Sequence, residues 1–185
     1  MRKAITIFLA LVMVLSLTAC GGGKAITKDD LETALKNTDK ELSLQQSDNS
    51  NNELNYSGKS TTNTSDYYVK TNDKGELQYL KISFQNIDTS LLSSADSISN
   101  VTDLLMNHPG DSKLKDARAG VCISQMINLI TLFDASYSKK SSAELIVAVA
   151  NAFSSNRSSQ FGSWNLSSTM NETEKTVEII AEPAK

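Results

Sequence analysis

The sequence predicts an α+β fold: an antiparallel sheet, built from N-terminal strands plus a C-terminal hairpin, packed on a layer of about three central helices. Three observations lead there. From Glu41 to Asn86 apolar and polar residues alternate, the mark of half-buried strands. Between Leu91 and Phe153 the apolar residues recur at helical spacing instead. From Phe161 onward the alternation returns. Strands, then helices, then strands, with no internal repeat and no interdomain linker, read as one α+β domain.

A short helix comes first. Thr27 is placed to cap it, Asp29 and Asp30 suit its positive end, and Ile26 is placed to staple onto Leu31. Leu31, Ala34 and Leu35 make its apolar stripe, and it ends near Asn37. In the strand region Leu42 and Leu44 alternate with polar residues, as do Leu54 and Tyr56, with Ser47 to Asn52 as turn composition between them. Gly58 to Ser65 reads as a polar loop. The runs Asp66–Thr71 and Glu76–Gln85 flank Asn72-Asp73-Lys74-Gly75, which predicts a hairpin with Gly75 left-handed. Leu80, Ile82 and Phe84 then share the core face.

Leu91, Ala95, Ile98, Val101 and Leu105 predict a helix stopped by His108-Pro109-Gly110. Asp111 or Ser112 would cap the next, running to about Asp134, and Ser141 or Ser142 a third, from Ala143 to Phe153. The third is nearly apolar all round, which predicts the central buried helix. At the end, Trp164, Leu166 and Met170 share one face of a strand from Phe161 to Met170. Val177, Ile179 and Ala181 share one face of its partner, Thr176 to Glu182, with Asn171 to Glu174 turning between them.

The N-terminus carries the most specific signal in the chain. Arg2 and Lys3 precede an apolar run from Ala4 to Leu17, and Thr18 and Ala19 lead to Cys20. The run fits a secretory signal, about 7–15 apolar residues between a basic start and a small-residue cleavage site, and is shorter than the roughly 20 a spanning helix needs. Leu17-Thr18-Ala19-Cys20 resembles the lipobox of bacterial lipoproteins. The resemblance covers the export signal alone. It implies cleavage before Cys20, diacylglycerol (with palmitate-type acyl chains) on the Cys20 thiol, and anchoring at the extracytoplasmic face of the cell membrane. Residues 1–19 are then the signal peptide, 20–26 the lipidated cysteine and tether, and 27–185 the domain. More than one acyl chain anchors a protein stably. Gly21, Gly22 and Gly23 form a leash, and the domain lies within roughly 25 Å of the lipid at full extension. The glycine leash resembles lipoproteins of Gram-positive bacteria, and position 21 is not aspartate, the inner-membrane retention signal of a Gram-negative host.

Without Arg2 and Lys3, 16 basic residues face 21 acidic ones, a side-chain charge of about −5. The basic residues are scattered, which argues against nucleic acid as a partner and against strong attraction to anionic headgroups. With Cys20 lipidated, Cys122 stands alone between Val121 and Ile123, reads as a small buried hydrophobe, and has no cysteine with which to form an internal disulfide.

A search for chemistry finds little. His108, the single histidine, sits at a helix end where it has a structural use against the dipole, and no nitrogen or sulfur ligands cluster for zinc. Ser136-Tyr137-Ser138-Lys139 has the S-x-x-K form and Ser47-Asp48-Asn49 the S-D-N form of penicillin-binding proteins, but in the wrong order and with Lys70-Thr71-Asn72 in place of K-T-G. The sequence therefore offers no catalytic residue, no metal site and no cofactor. Tyr67 and Tyr68 occupy opposite faces of one strand, so one of them is expected on an exposed face, and with Trp164 they are the candidate binding residues. The expected function is a non-enzymatic module that binds an envelope protein or small ligand. The alternatives are an envelope hydrolase with paired carboxylates and a small solute receptor serving a transporter.

Overall fold

The computed structural model describes residues 25–38, 43–50, 52–59, 64–107, 114–154 and 158–185. Helix α1 (Lys28–Thr38) comes first, followed by β1 (Ser43–Ser50), β2 (Glu53–Lys59), β3 (Thr64–Thr71) and β4 (Leu77–Phe84). Helices α2 (Ala95–Asn107), α3 (Leu114–Phe133) and α4 (Ser142–Phe153) follow, then β5 (Ser159–Phe161), β6 (Trp164–Asn171) and β7 (Thr176–Pro183). The strands form one antiparallel sheet in the order β1-β2-β3-β4-β7-β6-β5. The α+β architecture is therefore present, with the C-terminal hairpin joined to the N-terminal strands through β4 and β7.

Alternation fixes which face of the sheet is covered. Tyr56, Tyr67, Val69, Leu80, Ile82, Phe84, Leu166, Val177, Ile179 and Ala181 are all buried and point toward the helices. Helix α3 lies against this face with Ala119, Cys122, Ile123, Met126, Leu129 and Ile130 buried. Helix α1 packs on α3 through Leu31, Ala34 and Leu35, and Asn128 Nδ2 donates to the Ala34 carbonyl at 3.0 Å.

Local chemistry shaped several elements as expected. Thr27 Oγ1 accepts from the Asp30 N–H at 3.2 Å while Asp30 Oδ2 accepts from the Thr27 N–H at 2.9 Å, a reciprocal cap with aspartate in the glutamate role. Ser141 and Glu144 make the same box on α4. Gly75 is left-handed, with φ at +74°.

Five expectations need correction. The polar loop expected from Gly58 to Ser65 is cut back at both ends, because β2 runs on to Lys59 and β3 starts at Thr64, with Gly58 paired to buried Ser65. The strand β1 continues through Ser47–Ser50, because a bulge between Gln46 and Asp48 absorbs the polar run and leaves only a tight turn at Asn52. The helix expected from Leu91 starts at Ala95, since Leu91 belongs to a separate 3₁₀ turn, Thr89–Leu92, capped by Asp88. The central buried helix is α3 and not α4: Val147 of α4 is 52% exposed, and Ala143, Glu144 and Asn151 are exposed with it. The strand expected from Phe161 to Met170 is broken at Gly162-Ser163 into β5 and β6. His108, Asp111, Ser112 and Cys20 lie outside the described residues. Among the described residues no helix is long and apolar enough to cross a membrane.

Candidate binding face

Among the described residues no helix packs on the sheet's second face. Its side chains come from the alternate positions of each strand: Asn55 and Ser57 on β2, Asp66, Tyr68 and Lys70 on β3, Tyr79, Lys81 and Ser83 on β4, Glu178 and Ile180 on β7. None of these is buried. Polar-out alternation is what an antiparallel sheet with one solvated face requires.

The centre of this face is aromatic and cationic. Tyr68 and Tyr79 pack edge to face with centroids 6.0 Å apart, and Lys70 Nζ lies 5.3 Å from the Tyr68 centroid. Lys70 also pairs with Glu53 at 2.8 Å, and Lys81 with Glu178 at 2.6 Å. The Glu53 carboxylate, then the Tyr68 hydroxyl, raise the Lys70 ammonium above its ordinary value, and Lys70 in turn lowers Glu53. Both ion pairs are open to solvent, so they orient side chains more than they stabilise the fold. Half-buried Ile180 stands beside Lys81 in the register. The result is a flat surface with a preset aromatic pair, two cations held by partners, and one apolar residue.

The three tyrosine and tryptophan candidates separate. Tyr68 lies on the open face. Tyr67 is 2% exposed and its hydroxyl accepts from Ser65 Oγ at 2.7 Å and from Gln125 Nε2 at 3.0 Å. Trp164 is 6% exposed and stacks on Phe133 with centroids 4.7 Å apart. Tyr67 and Trp164 are thus core residues under the helices and cannot meet a partner alongside Tyr68. Chain and fold comparisons bring no further constraint. Set against protein-family models, curated proteins and solved structures, the chain has no significant match in any of the three.

Tyr79, Lys70, Lys81 and Ile180 complete the face and were not among the candidate binding residues Tyr67, Tyr68 and Trp164. Counting residues evenly back from the Asn72–Gly75 turn would set Tyr68 opposite Tyr79. The register shift after Lys70 instead sets Tyr68 opposite Lys81 and Lys70 opposite Tyr79, so the two rings meet diagonally. Cys122 is fully buried, and burial pushes its thiol well above the ordinary range, as a packing role requires. Among the residues whose side chains are described no Asp or Glu is buried, and among the described residues no three His, Cys, Asp or Glu side chains group to hold a metal ion.

Proposed function

We propose that this chain is a lipid-anchored extracytoplasmic protein whose domain works as a non-enzymatic binding module, using the open sheet face around Tyr68 and Tyr79. The anchor reading rests on the resemblance of Leu17-Thr18-Ala19-Cys20 to a lipobox, in a bacterial host, Gram-positive by the glycine leash. The binding reading rests on one observation: a sheet face that no described helix covers carries an aromatic pair flanked by two lysines whose charges are already satisfied. Such a pair offers contact area with little side-chain entropy left to lose, which suits a protein or small-ligand partner.

Two experiments test it. Incorporation of labelled palmitate by the wild type, abolished in Cys20→Ser, supports the anchor; incorporation unchanged by that substitution removes it. For the face, the soluble domain from Lys24 is used to capture partners from envelope extract, comparing wild type with Tyr68→Ala and Tyr79→Ala. One saturable partner lost in both folded variants supports the face. A partner bound equally by all three places binding elsewhere.

A further inference from the structure

The tether enters the fold at a defined place. Thr27 forms an isolated bridge with Glu76, the Leu77 N–H donates to the Ile26 carbonyl at 2.7 Å, and the Lys28 N–H donates to the Gly75 carbonyl at 3.3 Å. The first described residues of the domain are therefore pinned to the tip of the β3–β4 hairpin. Antiparallel pairing brings other segments to the same end. The Thr71 N–H donates to the Asn52 carbonyl at 2.8 Å, and Asn52 Nδ2 donates to Asp73 Oδ1 at 2.7 Å, so the β1–β2 turn sits beside it. Trp164 pairs with Pro183 toward this end, whereas Phe84 pairs with Val177 and the turn Glu172 to Lys175 lies at the other.

We infer that this turn end, with Asn52, Asp73 and Lys74 at its tip, is the surface that meets the bilayer headgroups, and that the Asn171–Lys175 end points away. The inference rests on the lipidation of Cys20 proposed above. Its physical basis is reach. Cys20 to Ile26 is six residue steps, which span about 20 Å at full extension. Strand β4 has eight residues and covers about 25 Å. Bringing the far end to the lipid would need every tether residue stretched and still fall short.

Charge does not compete with the tether. Lys28, Lys70 and Lys74 near this end are interspersed with Asp29, Glu53, Asp73 and Glu76, and Lys81 on the open sheet face is paired with Glu178, so these described cations form no basic patch that would draw the domain onto an anionic surface. Excluded volume then keeps the body of the domain off the bilayer. The orientation is accordingly insensitive to salt, unlike one set by headgroup attraction. In this pose the Tyr68–Tyr79 face stands edge-on to the membrane and meets partners from the side.

The test uses the full lipidated chain in vesicles of phosphatidylethanolamine and phosphatidylglycerol with spin-labelled headgroups. Fluorophores are placed at Lys74→Cys, Thr173→Cys and Val147→Cys, all exposed positions, while buried Cys122 stays unlabelled. The Lys74 site is expected to lose fluorescence to the quencher lipid while the Thr173 and Val147 sites keep theirs, at low and at high salt alike. Equal loss at Lys74 and Thr173, greatest loss at Thr173 or Val147, or an order that salt reverses overturns the inference. Vesicle flotation separates the two readings. A chain that fails to float removes the anchor and the orientation together; a chain that floats with the wrong order of quenching removes the orientation alone.

Discussion

Gln125 and Tyr67 form a buried polar link across the sheet–helix interface, and they are not energetically equivalent. Tyr67's hydroxyl receives two donors in a fully buried setting, whereas Gln125 Oε1 is buried and has no hydrogen-bond partner among the described residues. Replacing Tyr67 by Phe strands the Ser65 and Gln125 donors, and an unpaired buried group costs about 1–3 kcal/mol. Replacing Gln125 by Met removes one modest bond but also removes the unpaired carbonyl. Urea unfolding should therefore find Tyr67→Phe destabilised by about 1–3 kcal/mol and Gln125→Met unchanged or more stable. Equal destabilisation of the two would refute this ranking. The same pair shows where residue-level reading stops. The alternation of Tyr67 and Tyr68 onto opposite faces is written in the sequence, and Tyr67 shares the buried face with Val69, but the partner of its hydroxyl, Gln125, lies 58 positions away. Gln125 was equally illegible, since a glutamine in an apolar helix reads as a surface position until its partner is known.

Turns and caps are where elements commit to their ends, and two glycines there carry different constraints. Gly162 has φ at +57° and joins β5 to β6 so tightly against α3 that a Cβ would clash with the Phe133 carbonyl oxygen. Gly75 has φ at +74° but open space around it. A left-handed alanine costs roughly 1–2 kcal/mol. Gly75→Ala should lose about that much, and Gly162→Ala distinctly more, because strain adds to a backbone clash. Thermal melts showing similar losses would mean that the β5–β6 turn relaxes freely. At the start of α4, the Ser141 backbone N–H, then the Lys140 ammonium, then the Ser141 hydroxyl hold the Glu144 carboxyl down at about 2. Its folded-state value lies below the ordinary carboxylate range, so its stabilisation is present at neutral pH and lost as pH falls from about 4.5 toward 2. Glu144→Gln should melt below wild type at pH 7, with the two converging near pH 2; a gap independent of pH would exclude this origin. Both caps and the Gly75 turn were legible because their partners lie within four residues. The break at Gly162 was not, as it is forced by Phe133 on another element, and α4 was mistaken for the central helix because apolar composition does not say which helix the sheet receives.

The whole molecule depends on one long-range seam. Strand β4 closes the N-terminal half and β7 the C-terminal half, and their register from Leu80↔Ala181 to Phe84↔Val177 is what makes seven strands one sheet. Ser83 and Glu178, within this seam, are 95 residues apart in the chain. Helix α3 spans the result, touching Tyr67 of β3 through Gln125 and the β5–β6 turn through Phe133. Neither half keeps its apolar face covered without the other, so the domain should unfold as a unit and not as two hairpin systems. Trp164, the sole tryptophan, reports the C-terminal half by fluorescence, while amide exchange at Val69 and Leu80 reports the N-terminal half. The two probes should give one stability. Ile82 and Ile179 face each other across the seam, both fully buried. A double-mutant cycle of Ile82→Ala and Ile179→Ala should return a coupling of about 0.5–3 kcal/mol, as expected for residues in direct contact. Additive losses with two separate transitions would instead describe two independently stable halves, and the seam would then be a docking contact between them.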